Sequence, residues 1–477
     1  MNLLKKLTPY TLSFFLVACG NDDIDPNVID APNTYDFASI VDPSSPSSVE
    51  YNEATTRLIL IQELEYLLAS DYLQKLGEAK VEEIGLDNAK AFIVDLLNAI
   101  YTTGTKSGPL SLVTQNIYDF YDPNNEESTG STQIKGINFY NGNYSFSSLQ
   151  ANINLLDAMP GISNDLHNRK EDESLGNFIG WAIAGDDDGD IVPNELIQYW
   201  FSQVARIATD GDEQTKSIYI NVDYKALITS FLSASIPYFQ ISNVHLHNAS
   251  GLNTDNLTAV QNQPYTQLEH SWDMAFGYFG TSRSSNLKSL ETIINQHNKV
   301  TDLASLSSDS VFDTAAFLAQ RDLSTPSFVT PKFKPTVTAF LEGREVITLR
   351  ELDITTDRKK ALISHNAQTI IANWEMAIIE NLIHHINNTI DFGPYISSGF
   401  LSSYQTSWSK MKAYALALQF NPYSTISLDS LDYINDQISI RPETRVNSVN
   451  GYLGDILNAR SVLQNHFGIP EEAIFNW

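Results

Sequence analysis

From Asp357 to Ile390 the chain reads DRKKALISHNAQTIIANWEMAIIENLIHHINNTI, and the fold class turns on this stretch. Its apolar residues recur at helical spacing, which predicts one helix over about 357–391, the longest in the chain. Outward from it the same signal repeats. Helical patterns cover roughly 146–157, 174–184, 194–208, 223–247, 267–279, 287–299, 310–321, 406–419, 427–436 and 449–467. Near the start, Leu60, Leu64, Leu67 and Leu68 share a face of TTRLILIQELEYLLASDYL, and Asp87 or Asn88 is placed to cap AKAFIVDLLNAIY. Only short pieces such as Ser217–Ile220 look extended. Two polar breaks, YDPNNEESTGSTQIKG and STPSFVTPKFKP, read as interruptions, the second as a surface loop. The expectation is an all-α protein. It has one large multi-helix domain over 49–477, or two packed helical lobes, since the length exceeds the usual limit for a single core.

The N-terminus carries a different message. Lys5 and Lys6 precede a short apolar run that ends in Leu16-Val17-Ala18-Cys19-Gly20. A charged start, an apolar middle and a small residue at the cut describe a secretory signal peptide over 1–18. Cys19 is the one cysteine among 477 residues, and it stands where a bacterial lipoprotein is lipidated. Residues 19–48, rich in Asn, Asp, Pro and Ser, read as a flexible acidic tether. The chain carries a net charge of −28, with 42% apolar residues. Cleavage of 1–18 removes two lysines and no acid, which deepens the charge. So negative a surface repels nucleic acid and anionic lipid, which excludes both as direct partners, and the apolar content is enough for a packed core. The expected location is the cell envelope, lipid-anchored to the outer membrane and facing either the periplasm or the exterior.

The sharpest local motif is Ala184-Gly-Asp186-Asp187-Asp188-Gly189-Asp190-Ile191-Val192-Pro193-Asn194-Glu195. Counted from Ala184 it places Asp186, Asp188, Asp190 and Glu195 at positions 3, 5, 7 and 12 of an EF-hand-like calcium loop, with Gly189 at 6. The departure is Ala184, which cannot coordinate where an Asp is usual. Calcium in a structural role is one reading, and an acidic solvated turn without metal is the other.

Leu268-Glu269-His270-Ser271-Trp272-Asp273-Met274-Ala275-Phe276-Gly277-Tyr278-Phe279-Gly280 is dense in aromatics, glycines and titratable groups. On a helix His270 and Asp273 lie three apart and Glu269 and Asp273 four apart, each pair on one face. Such a set either holds a metal or moves a proton, or it belongs to a buried helix with an internally paired His270. The block EHxWDxAFGYFG resembles the signature of an uncharacterised bacterial lipoprotein family, domain of unknown function 4856. Tyr35-Asp36-Phe37, SVEYNEATTRL (48–58), DYKALITSFLSASIPYF (223–239) and Trp408-Ser409-Lys410 are similar to other blocks of that family. The chain departs from the family pattern at Met274, where Glu is common, and in SWSKMKAY (407–414). The resemblance implies an exported helical lipoprotein, often associated with imelysin-like and iron-uptake lipoproteins.

Glu380 and His384, four apart on the long helix with His385 beside them, are half of a possible helical-bundle metal site that His270 and Asp273 would complete. The competing view is two histidines flanking a helix face. HExxH, GxSxG, the phosphate-binding GxxxxGK[ST] loop, a strand-borne GxGxxG and the imelysin GxHxxE motif are absent from the sequence. No catalytic residue is assigned. The expected function is a non-enzymatic binding lipoprotein that helps to capture iron, another metal or a nutrient, with an outer-membrane receptor as a partner. The alternative is a metal-dependent hydrolase of the cell envelope.

Overall fold

Leu60, Leu64 and Leu68 are fully buried along one side of the first helix, Asn52–Ala69 (α1). The pattern that ran on through DYL resolves into a second helix, Tyr72–Ile84 (α2). The computed structural model describes residues 29, 31–69, 72–103, 153–159, 178–181, 192–210, 221–297, 311–325, 329–349, 355–421, 423–475 and 477. Helices Leu86–Asn98 (α3) and Pro193–Thr209 (α4) pack against α2 and against each other. The next helix, Tyr224–Phe239 (α5), starts where the Asp223 carboxylate accepts from the Ala226 N–H at 3.1 Å. Every α5 residue except Lys225 is buried, as expected of a helix that is apolar all round and enclosed by others. Pro237 sits inside it, and the chain continues as a π-helical turn over Gln240–His245.

Gln267–Phe279 (α6), Leu290–Asn295 (α7), Asp313–Ser324 (α8) and Phe333–Thr348 (α9) follow. The long helix is Thr356–Phe392 (α10), about 55 Å from end to end. It packs against α9 on one side and Leu401–Ala417 (α11) on the other, and α11 closes over α5. Leu428–Ile438 (α12), Val449–Phe467 (α13) and the short Glu471–Ile474 (α14) complete the fold. Among the described residues there are fourteen α-helices and no strand, so the protein is all-α. Buried side chains from Tyr35 to Trp477 join in one hydrophobic cluster. No helix among the described residues is long and apolar enough to cross a membrane.

Three expectations need correction. STPSFVTPKFKP does not stay a loop: α9 begins at Phe333, and Pro335 sits in its first turn, where a missing N–H costs no helical bond. The helical reading of 174–184 fails over Phe178–Trp181. There Gly180 takes a positive φ of 90°, and the Gln419 side-chain amide bonds both the N–H and the carbonyl of Ile179 at 2.9 Å. The tether boundary at 48 lies too late, because Tyr35, Phe37 and Ser48 are buried against α6. The extended reading of Ser217–Ile220 lies outside the described residues, as do Cys19 and residues 1–18.

Lys412 on α11 is fully buried, and its ammonium donates to the Asn435 backbone carbonyl at 3.3 Å and to its side-chain oxygen at 3.0 Å. Burial pulls its pKa down to about 7, only partly opposed by Asp436 and Asp432. The unfolded chain keeps the ordinary lysine value, so between about pH 7 and 10 it binds a proton that the folded chain releases. Folding stability therefore rises with pH across that window. Chemical denaturation at pH 7, 8 and 9 should show the rise, and Lys412→Met should flatten it; an unchanged slope in the variant would refute the assignment.

Candidate functional site

The family-like block forms α6, and its first turn is set by Thr266, just outside the block, together with Glu269 within it. The Thr266 hydroxyl accepts from the Glu269 N–H at 3.2 Å, and the Glu269 carboxylate accepts from the Thr266 N–H at 2.8 Å. This reciprocal pair satisfies two donors that a helix start leaves open. Gly280 ends the helix with a left-handed φ of 68°.

One helical turn apart, Glu269 and Asp273 point to the same side and meet Arg344 of α9. The Arg344 Nε lies 2.8 Å from Asp273 Oδ1 and its Nη2 lies 3.0 Å from Glu269 Oε1, with all three side chains fully buried. The N-terminal segment closes the network. The Tyr35 hydroxyl donates to Asp273 at 2.8 Å, the Glu50 N–H to the other Asp273 oxygen at 3.3 Å, and the Ser48 hydroxyl to Glu269 at 3.1 Å. Arg344 Nη2 also donates to the Ser48 oxygen at 2.7 Å, and the guanidinium lies over the Phe37 ring. Burial pushes the Asp273 carboxyl up, and the adjacent guanidinium and hydroxyl oppose the rise. Trp272 donates to the Phe340 carbonyl at 2.9 Å, and a methyl group at Gly343 would collide with its ring. α6 and α9 are thus held in close register by charge and by shape.

His270 belongs to other company. Its ring stacks on Tyr265 at 4.8 Å between centroids, and its Nδ1 lies 3.5 Å from Glu50 Oε2. Glu380 pairs with Lys332 at 2.6 Å, and burial raises its pKa against the pull of that lysine. His384 bonds Asn388 at 3.0 Å, and burial pushes its pKa down to about 4. The structure therefore does not bring His270, Asp273, Glu380 and His384 together. Their carboxylates are taken by separate basic partners, and no group of three or more His, Cys, Asp or Glu among the described residues could hold a metal ion. Of the calcium loop, Glu195 is described: it is exposed near the start of α4 and accepts from the Val192 N–H at 3.2 Å. Asp186, Asp188 and Asp190 lie outside the described residues.

Beside the clamp a cleft of about 800 Å³ opens. One wall comes from the loop after the π-helical turn, with Leu252, Asn253, Thr254 and Asn256. Leu268 of α6 and Thr348 and Leu349 at the end of α9 form the next wall, and Lys359, Lys360 and Ile363 at the start of α10 face them. Asn256 ties the cleft to the clamp. Its amide donates to the Ile347 carbonyl at 2.9 Å, and its oxygen accepts from the Thr266 hydroxyl at 2.8 Å. The Lys359 ammonium donates to the Ile347 and Leu349 carbonyls at 2.9 and 2.7 Å, where a helix C-terminus favours a cation. Neither Arg344 nor the cleft was singled out in the sequence. The Thr266-x-x-Glu269 capping pattern was the available hint that Glu269 is occupied by structure.

Residues 207–323 match a family model described as Domain of unknown function (DUF4856), which bears out the resemblance to that family. The matched segment includes α5 to α7 and the cleft loop. No curated protein and no solved structure matches the chain.

Replacing Arg344 with Met leaves two buried carboxylates without their cation. Urea unfolding should show a loss of about 3–5 kcal/mol, the cost of breaking a buried ion pair from one side. A loss below about 1 kcal/mol would mean that the clamp does not hold the fold.

Proposed function

We propose that the protein is an exported, lipid-anchored, non-enzymatic binding protein of the cell envelope, which takes a small ligand into the cleft between α6, α9 and the start of α10. The observation that supports it most is the cleft itself. At about 800 Å³ it falls within the range of small-molecule sites, and it mixes apolar side chains with a few polar ones. The described lining holds no carboxylate, imidazole or thiol, the groups that general acid–base and nucleophilic catalysis most often use. The hydrolase alternative needs His270, Asp273, Glu380 and His384 at one point, and Asp273 and Glu380 each sit in their own ion pair.

The envelope location rests on the signal-peptide pattern and on Cys19, which would carry the lipid. A role in nutrient capture beside an outer-membrane receptor, and calcium as a structural ion in the 184–195 loop, belong to the same proposal. Both rest on sequence alone.

A thermal-shift screen of small metabolites against the full chain is the test. A compound present at a hundred times its dissociation constant should add about 2.7 kcal/mol of stability. Asn253→Trp, a bulky change at an exposed lining position, should abolish the shift without altering the protein's own melting temperature. Hits that survive this change would place the site elsewhere and contradict the proposal. The anchor has its own check: mass spectrometry should find the mature chain beginning at a diacylated Cys19, and an intact, unmodified N-terminus would refute it.

A further inference from the structure

The cleft's charge runs against that of the chain. The protein has a net charge of −28, yet the described lining carries two lysines and no acid. Lys359 is committed to the carbonyls at the end of α9. Lys360 is exposed and makes no hydrogen bond or ion pair with the described residues. The same cleft is lined by Leu252, Leu268, Leu349 and Ile363, with Asn253 and Thr254 as neutral polar groups. An acidic surface repels anions from much of the molecule, and a cation in a cleft lined by apolar side chains and no acid offers an anion a local partner. We infer that the ligand is an amphipathic carboxylate, its hydrocarbon body against the apolar side chains and its head on the Lys360 ammonium. This rests on the reading of the cleft as the binding site and adds the chemical class of what enters. Apolar burial supplies most of the affinity, and the ammonium supplies the selection by charge.

Three probes of equal chain length separate the contributions: decanoate, decan-1-ol and decyltrimethylammonium, titrated calorimetrically into the full chain at low salt. Decanoate should bind at least about tenfold more tightly than the quaternary amine, a ratio in keeping with one charge-assisted hydrogen bond. Lys360→Glu should weaken decanoate by about tenfold or more and leave decanol unchanged. Lys360→Arg should restore decanoate binding. Circular dichroism and melting temperature would show that both variants are folded, as expected for an exposed position. Equal affinity for anion and cation, or decanoate binding unaffected by Lys360→Glu, would overturn the inference. If Asn253→Trp still blocked those probes, the cleft would stand as the site and only the ligand class would fall. Failure of all three probes to bind would also overturn the inference, and the metabolite screen would then judge the cleft separately.

Discussion

The guanidinium of Arg344 lies fully buried between the carboxylates of Glu269 and Asp273, and three distant parts of the chain take their places from it. Removing such charges from water is expensive, and the cost is recovered only when nearly every oxygen and N–H finds a partner. Two carboxylates against one guanidinium leave an excess of negative charge. The donors that meet it are the Thr266 and Glu50 N–H groups and the Tyr35 and Ser48 hydroxyls. The segment from Tyr35 to Glu50 is therefore bound to α6 and α9 by electrostatic need as well as by burial. Tyr35 adds a stacked contact on Phe276.

The same arrangement prepares the cleft. Thr266 caps α6 and also donates to Asn256, whose amide bonds the last turn of α9 four residues beyond Gly343. Leu268, one residue before the clamp's first carboxylate, is a lining residue. A change in the angle between α6 and α9 would thus alter the cleft directly. The block EHxWD, which invites a catalytic reading, is used chiefly for architecture: Glu269 and Asp273 for charge, Trp272 for close contact over Gly343, and Gly280 for the turn out of the helix.

Much of the fold was legible because helical periodicity is a local property. The reading of 267–279 coincides with Gln267–Phe279, that of 449–467 with Val449–Phe467, and that of 357–391 lies within a residue of Thr356–Phe392. The failures have physical causes. Pro331 and Pro335 suggested a loop, although a proline is tolerated in a first helical turn. Gly180 allowed a backbone turn that the apolar pattern around it did not announce. The site was harder to read. Spacing along a helix shows which side chains share a face, and that is how His270, Asp273, Glu380 and His384 came to be grouped. What stands opposite a face is a tertiary fact. Arg344 lies 71 residues from Asp273, inside a 16-residue helix that the pattern missed. The cleft joins pieces from Ile40 to Ile363, and its asparagines and threonines look in sequence like ordinary loop residues.

A double-mutant cycle between Arg344 and Asp273 tests the electrostatic clamp most directly. Arg344→Met, Asp273→Leu and the pair together would be compared by urea unfolding at neutral pH. If the two side chains stabilise the fold mainly through each other, the double variant should lose less than the sum of the single losses, by about 2 kcal/mol or more. Additive losses would contradict the account, because the buried Arg344–Asp273 pair would then contribute no coupling of its own.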